Sequence, residues 1–348
     1  MCTKLNESRK LELYQHRILK NIINNPYLYM DYYKKESFMS EDYNLLTILG
    51  PTAGGKTSVA TRMAYILKGE VISADSRQVY RGMDLGTGKD LDDYVVEDQK
   101  IPYHLIDIVN AGAKYNVYAY QKDFINVFED LQKRNKFPVL CGGSGMYIEA
   151  VLKGYKLIHV PVNDPLRDEL EQKSTEELIT ILSSYKKLHN KTDTDTRKRM
   201  IRAIEIEKYY TENPQPDDVF PEIKPLLVGV KFDRPSQRRR ITQRLKQRLD
   251  EGLVDEVQRL IDQGITVENL LYYGLEYKFI TQHITGELSF EQMFKKLETA
   301  IHQFAKRQMT WFRRMERNGF KIHWLDGYAP MHEKTRRILE LLGENRTT

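Results

Sequence analysis

The stretch NLLTILGPTAGGKTSVATRMAYILKGE, residues 44–70, decides the fold of this chain. Its first residues form an apolar run that predicts a buried strand, and its last residues have the apolar spacing of a helix. Between them, the chain matches the pattern G-x-x-x-x-G-K-[ST] at Gly50, Gly55, Lys56 and Thr57. A strand before this pattern and a helix after it predict a phosphate-binding loop, in which backbone N–H groups surround an anion.

Apolar strand candidates alternate with a helical segment after this loop. Strands that alternate with helices indicate βαβ units and a parallel sheet. We therefore predict an α/β fold: a P-loop NTPase-like parallel sheet flanked by helices, with an inserted, mostly helical subdomain. The further strand candidates are EVISAD (70–75), YHLIDIV (103–109), KFPVLCGG (136–143) and PLLVGVKF (225–232), and the helical segment covers 117–136.

Changes in pattern along the chain predict its domain organisation. A helical extension is expected at the N-terminus and a tail at the C-terminus. Two long helices, at about 234–263 and 289–317, are expected late in the chain. The predicted segments are the extension 1–43, the P-loop core 44–154 and 226–330, the inserted helical subdomain 155–225, and the tail 331–348.

Composition narrows the class of protein. The 348 residues are 41% hydrophobic and 30% charged, which is typical of a soluble globular protein with a core. The longest apolar runs are far shorter than the ~20 residues of a membrane-spanning helix, and the N-terminus lacks the apolar region of a signal peptide. Cys2 and Cys141 provide neither a disulfide framework nor a zinc site. We expect a cytoplasmic protein that does not associate with a membrane.

Basic residues cluster in two predicted helices. Eight of the eighteen residues from Lys231 to Arg248 are basic, and Asp233 is the one acid among them. Such clusters suit a polyanion, either a nucleic acid or a phosphorylated small molecule, although solvated helix faces explain them equally well. The second cluster, AKRQMTWFRRMER at 305–317, contains Lys306, Arg307, Arg313, Arg314 and Arg317.

The loop alone would indicate ATP or GTP, but the rest of an NTPase site is incomplete. A second strand should end in an aspartate for Mg²⁺, whereas FPVLCGG ends in glycines and Asp107 lies inside its apolar run. Asp75 ends the strand EVISAD, and ligands of parallel sheets bind at the carboxyl ends of the strands. Asp75 is therefore a candidate proton acceptor beside the loop, with a helix N-cap as the alternative.

Six segments in order resemble the tRNA dimethylallyltransferases over roughly residues 45–328. The resemblance implies a P-loop enzyme that transfers a dimethylallyl group from dimethylallyl pyrophosphate to an exocyclic amine. The acceptor would be the adenosine 3′ of the anticodon in tRNAs that read codons beginning with U. The chain lacks zinc-finger cysteines and so resembles the bacterial type. The segments are GPTAGGKT, ISADSRQVYRGMDLGTGK, PYHLIDIV, PVLCGGSGMYIEAVLKG, RAIEI and AKRQMTWFRR.

The resemblance also implies roles for individual residues. Asp75 would be the general base, Thr52 would donate to the bridging oxygen of the donor, and Arg244 would contact the diphosphate. Thr57 would bind the expected cofactor, Mg²⁺. The spacing of Arg240, Arg244 and Arg248 independently places them on one helix face. The residues expected to bind the donor diphosphate are Gly50, Pro51, Thr52, Ala53, Gly54, Gly55, Lys56 and Thr57.

The expected partners are dimethylallyl pyrophosphate and a tRNA anticodon stem-loop, bound by a monomer. The target base must leave its stack to reach the cleft, and RNA loops are read through such splayed bases. Two departures from the family pattern stand out: Glu276 replaces a glycine, and Ile301-His302 replaces Thr-Arg. The residues that the resemblance assigns to tRNA binding are Asp75, Ser76, Arg77, Gln78, Ser144, Arg167, Lys198, Arg199 and Arg202.

Three alternative functions remain at this point. An adenylate isopentenyltransferase would share the loop and Asp75 but would have no need for an RNA-binding subdomain. A P-loop small-molecule kinase would consume ATP, and a non-catalytic RNA-binding protein would bind tRNA without the donor. The helical insertion and the basic C-terminal helices favour tRNA as the acceptor.

Overall fold

The computed structural model describes residues 42–186, 194–213 and 220–343. Within these ranges the chain packs into two compact units, one formed by Lys156–Pro221 and the other by the rest of the chain. The predicted N-terminal extension, 1–43, lies almost entirely outside the described residues. Each unit is a separate body with a hydrophobic core of its own.

The larger unit is built on a six-stranded sheet. Its strands run in the order β10 (Ile322–Asp326), β9 (Pro225–Lys231), β1 (Leu45–Leu49), β8 (Pro138–Gly142), β2 (Glu70–Ala74) and β6 (Tyr103–His104), and every neighbouring pair is parallel. The predicted α/β class with a parallel sheet is therefore confirmed. The other strands of this unit are β3 Tyr80–Arg81, β4 Val95–Val96, β5 Gln99–Lys100 and β7 Val109–Asn110.

Helices cover both faces of this sheet. Every residue of β1, β2 and β8 is buried, as expected for parallel strands covered on both sides. Leu45 and Leu49 belong to one hydrophobic cluster, while Leu46 and Ile48 belong to the other, so β1 contributes alternately to two cores. The helices of this unit are α1 Lys56–Ile66, α2 Val117–Lys133, α3 Gly145–Leu152, α7 Arg234–Asp250, α8 Leu253–Asp262, α9 Val267–Tyr272, α10 Leu275–Ile284, α11 Phe290–Arg317 and α12 Met331–Gly343.

Within the described residues, the smaller unit contains three helices: α4 Asp164–Glu171, α5 Thr175–Tyr185 and α6 Arg197–Glu212. Their N-termini are capped by the side chains of Asn163, Ser174 and Thr196, each of which accepts a backbone N–H. The helices pack around Leu170, Leu178, Leu182, Met200, Ile201 and Ile204. In the described ranges, no helix combines the length and the apolar composition that crossing a bilayer requires.

Two predicted elements are interrupted by turns. Only Tyr103–His104 of YHLIDIV joins the central sheet, because Leu105 and Asp107 take positive φ angles of 61° and 55° and redirect the chain. The helix expected at 234–263 is divided into α7 and α8 at Gly252, where φ is 96°. Local backbone conformation, which apolar periodicity does not report, explains both differences.

The predicted tail also differs from the structure. Residues 331–343 form α12, which buries Thr335, Ile338, Leu339 and Leu342 at i, i+3, i+4 and i+7. This helix belongs to the same core cluster as α1. Strand β10, which adds the outermost parallel strand beside β9, was not predicted either. Both elements lie beyond the segments that resemble the family most closely.

Candidate active site

The loop between β1 and α1 has the geometry of a phosphate-binding loop. Gly50 has φ of 153°, and a Cβ there would lie 2.5 Å from the carbonyl oxygen of Val230. Gly55, the N-cap of α1, has φ of 70°, which disfavours residues with a side chain. The Lys56 ammonium donates to the Pro51 carbonyl over 2.7 Å. Burial lowers the pKa of Lys56 to about 8.

A cleft of about 340 Å³ lies beside this loop. Its lining comes from the carboxyl ends of β2 and β8, from the loop, and from α7, α10 and α11. The three predicted catalytic residues, Thr52, Asp75 and Arg244, all line it. A larger groove of about 620 Å³ between α7 and α11 contains neither Asp75 nor Lys56. The grouping of charged and phosphate-binding residues therefore locates the candidate site in the smaller cleft.

Asp75 follows β2 directly and is held by a turn. Its Oδ1 accepts the backbone N–H of Arg77 over 2.9 Å, which is the geometry of an Asx turn. The segment from Asp75 to Tyr80 contains turns and no helix, so the N-cap interpretation is wrong. Ser144 Oγ accepts the backbone N–H of Ser76 over 3.0 Å, which fastens this segment to the end of β8.

The arginines of α7 face the loop. Arg240 donates from Nε to the carbonyl oxygen of Ala53 over 3.0 Å. Arg244 and Arg248 bind the two carboxylate oxygens of Asp90 over 2.6 Å and 3.2 Å. Burial, followed by the nearby charge of Arg248, lowers the pKa of Arg244. Helical spacing therefore brings Arg240 to the phosphate loop, and Arg244 and Arg248 to the lining of the cleft.

Residues 78–315 match the sequence profile described as IPP transferase. The chain belongs to the IPP transferase family. It is 60% identical over 302 residues to tRNA dimethylallyltransferase 2 of Phocaeicola vulgatus, covering 87% of this chain and 98% of the relative. A relative of the same name from Trichlorobacter lovleyi is 50% identical over 301 residues, covering 86% of this chain and 97% of the relative. The resemblance inferred from the six segments is therefore confirmed.

Solved structures of this family share the fold. The full-length tRNA isopentenylpyrophosphate transferase of Bacillus halodurans superposes with a TM-score of 0.64 at 30% identity, covering 88% of this chain and 98% of that one. A eukaryotic dimethylallyltransferase acting on tRNA gives a TM-score of 0.70 at 21% identity, covering 87% of this chain and 79% of that one. The second comparison concerns the fold alone.

Two glutamines that the sequence did not single out hold Thr52 in place. Gln308 on α11 accepts the Thr52 backbone N–H over 2.8 Å and donates to the Gly143 carbonyl over 2.9 Å. Gln237 on α7 donates to the Thr52 carbonyl. The loop of this IPP transferase is therefore held from both sides by helices distant in sequence. In the sequence, the one feature that could have pointed to these contacts was the position of Gln308 inside the segment AKRQMTWFRR.

The departures from the family pattern fall in different places. Glu276, at the start of α10, lines the cleft with Arg244 and Arg248, and burial raises the pKa of its carboxyl. Ile301 also lines this cleft. His302 lies instead against α7, with its Nε2 3.2 Å from the carbonyl oxygen of Arg238. Glu276 thus places a carboxyl group in the cleft at a position where the resemblance predicts a glycine.

The predicted tRNA-binding residues of the larger unit lie close together. Asp75, Ser76, Arg77 and Ser144 all line the cleft. The Arg77 guanidinium stacks on the ring of Tyr272, with 5.4 Å from its central carbon to the ring centroid. Gln78 also lines the cleft, and its side chain accepts from Ser73 Oγ and donates to the Gly88 carbonyl, both over 3.0 Å.

The four predicted residues of the smaller unit differ in their contacts. Arg167 and Arg202 both bind Glu205, whose side chain is 2% exposed, and the Arg167 contact spans 2.8 Å. These two arginines therefore neutralise a buried carboxylate. Lys198 and Arg199 lie exposed in the first turn of α6, where Arg199 pairs with Asp195 over 3.2 Å.

The cleft suits a metal that binds mainly through the substrate. The described residues contain no group of three or more His, Cys, Asp or Glu side chains that could hold a metal ion. Thr57, in the first turn of α1, lines the cleft beside Lys56. Mg²⁺ commonly keeps several waters and binds through one or two protein oxygens together with substrate phosphates. Thr57 fits that mode of binding.

Proposed function

We propose that this chain transfers a dimethylallyl group from dimethylallyl pyrophosphate to a tRNA. The acceptor is the exocyclic amine of the adenosine 3′ of the anticodon, in tRNAs that read codons beginning with U. The observation that carries the proposal is the meeting of the phosphate loop, Asp75 and Arg244 in one cleft. The names of the curated relatives, tRNA dimethylallyltransferases at 58–60% identity, support it.

The loop and its cations hold the diphosphate as a leaving group. Lys56 and Arg244 supply positive charge, and the N–H groups at the start of α1 supply hydrogen bonds. Negative charge develops on the bridging oxygen as the allylic C–O bond breaks, and fixed positive charge stabilises it. The Thr52 hydroxyl donates to that oxygen. Thr57 would help to hold Mg²⁺, which would neutralise further charge on the diphosphate when bound.

Asp75 receives the proton of the acceptor amine. The amine nitrogen bonds to the allylic carbon while the C–O electron pair moves to pyrophosphate, and one N–H proton passes to the Asp75 carboxylate. An aromatic amine is a weak nucleophile, so orientation and a nearby base both contribute to the rate. The turn that binds Asp75 Oδ1 to the Arg77 N–H fixes the position of the carboxyl group.

A free adenine nucleotide is the rival acceptor, since an adenylate isopentenyltransferase would use the same donor chemistry. The separate helical unit, Lys156–Pro221, favours tRNA because a mononucleotide needs no such unit. The curated relatives also favour tRNA. A kinase is less consistent with the site, because Asp107, its possible Mg²⁺ ligand, instead pairs with Lys89.

A transfer assay with both acceptors tests the proposal. The protein is incubated with Mg²⁺, labelled dimethylallyl pyrophosphate and either unmodified tRNA or AMP, and the labelled product is identified. Label on the adenosine 3′ of the anticodon supports the proposal. Label on AMP but not on tRNA contradicts it, and loss of the γ-phosphate of added ATP to an acceptor indicates a kinase.

The pH dependence of kcat/KM for the donor should show the deprotonation of Lys56. Because burial lowers its pKa from 10.5 to about 8, the enzyme without bound donor loses this positive charge as the pH rises through about 8. We expect kcat/KM for the donor to be constant below that value and to fall about tenfold per pH unit above it. The measurement varies the donor at saturating tRNA between pH 6.5 and 9.5. A profile that stays flat to pH 9.5 contradicts the role of Lys56.

A further inference from the structure

Asp90 binds two arginines, Arg244 and Arg248, that each line two clefts. Each of its carboxylate oxygens binds one guanidinium group, Oδ2 that of Arg244 over 2.6 Å and Oδ1 that of Arg248 over 3.2 Å. Among the described residues, Asp90 is the one carboxylate within salt-bridge distance of either arginine. Both arginines line the cleft that contains Asp75 and also a second cleft, of about 390 Å³, on the Gly55 side of the loop.

The side chains of Arg244 and Arg248 are less exposed to solvent than the side chain of Asp90. A Cβ on Gly88 would lie 2.4 Å from Arg248 Nη2 and 2.7 Å from Arg244 Nη2, so both groups pack against the backbone. The arginine side chains are 11% and 28% exposed, and that of Asp90 is 50% exposed. Asp90 is therefore the partner that can withdraw into solvent while both arginines stay in place.

A bound diphosphate would compete with Asp90. Phosphate and carboxylate oxygens both accept charge-assisted hydrogen bonds from guanidinium groups. A diphosphate that binds the loop and reaches Arg244 would accept hydrogen bonds from a guanidinium group that already donates to Asp90. Its negative charge also repels the carboxylate, and this repulsion is poorly screened in a partly buried site.

We propose that Asp90 is an internal competitor of the diphosphate for Arg244 and Arg248. It is displaced when the donor binds, and it rebinds the arginines when pyrophosphate leaves. Asp90 thereby weakens the binding of donor and pyrophosphate alike and promotes release of the product. The inference rests on the proposed function in one respect, that the donor diphosphate reaches Arg244.

Asp90→Asn tests the competition because asparagine keeps the size of the side chain and removes its charge. We expect the dissociation constants of pyrophosphate and dimethylallyl pyrophosphate, measured by calorimetry with Mg²⁺ and without tRNA, to fall about tenfold or more. Asp90→Glu keeps the charge and should bind within about threefold of the wild type. Asp92→Asn is the matched control: it removes the same charge two residues further along the chain, in the 3₁₀ helix Leu91–Tyr94, at an exposed side chain without an ion pair in the described structure.

The outcomes separate this inference from the proposed function. Unchanged or weaker pyrophosphate binding by Asp90→Asn overturns the inference, as does equally tighter binding by Asp92→Asn. Prenyl transfer by the wild type is assayed in parallel. A wild type that transfers no label but shows the expected differences in pyrophosphate affinity contradicts the proposed function and leaves the competition supported. Melting temperatures of all variants establish that each is folded.

Discussion

Replacing Asp75 with alanine is expected to lower turnover about 100-fold or more while leaving donor affinity nearly unchanged. Asp75 lines the cleft beside the phosphate loop, and its carboxylate is the group placed to take the proton of the amine. The donor is held by the loop amides, Lys56 and Arg244, none of which hydrogen-bonds to Asp75 in the described structure. The loss should therefore appear in the rate constant of the transfer step, measured in single-turnover reactions with saturating donor and tRNA.

The variant Asp75→Asn distinguishes a role of Asp75 in proton transfer from a role in shaping the turn after β2. Asparagine retains an Oδ1 that can accept the Arg77 N–H, so the turn after β2 survives, but its amide is not a useful base. We expect the asparagine variant to be as slow as the alanine variant. If asparagine restores turnover to near the wild-type value, Asp75 acts by shaping the turn, and the general-base assignment is wrong.

Replacing Lys56 with methionine is expected to lower kcat/KM for the donor about 1,000-fold, the upper end of the range for one lost stabilising group. The methionine side chain fills similar space but has neither the charge nor the donor hydrogens of lysine. Lys56 lines the cleft, and its hydrogen bond to the Pro51 carbonyl holds the ammonium against the phosphate loop. Both the ground-state diphosphate and the departing pyrophosphate should lose stabilisation.

The measurement varies donor concentration at saturating tRNA and compares Lys56→Met with Lys100→Met. Lys100 lies exposed on β5, outside the residues that line the cleft, so its replacement removes an equal charge from the surface. The control variant should retain nearly full activity. A Lys56→Met enzyme within tenfold of the wild type would show that the loop amides and arginines bind the diphosphate without this lysine.

Local sequence accounted for the parts of the site that lie close together along the chain. The glycine spacing predicted the loop, and Gly50 and Gly55 take backbone conformations that favour glycine. The position of Asp75 at the end of a predicted strand was enough to place it beside that loop. Helical spacing brought Arg240, Arg244 and Arg248 to one side of α7.

Contacts between distant segments could not be derived in this way. Gln308 meets Thr52 across 256 positions of sequence, and its polar character alone does not reveal this contact. Asp90 meets Arg244 across 154 positions. Two arginines assigned to tRNA binding also have a partner that the sequence did not indicate. Arg167 and Arg202 neutralise the buried Glu205. Such pairings depend on how helices pack.

The sequence by itself determined the family, the parallel α/β fold and the identity of the phosphate loop. These properties follow from short-range patterns: glycines where the backbone requires them, apolar runs where strands are buried on both faces, and 3.6-residue spacing on helices. Only the tertiary structure decided which helices hold Thr52, which carboxylate occupies Arg244, and that α12 belongs to the core. The physical reason is that side-chain partners are selected by packing between elements, and packing is a property of the folded chain as a whole.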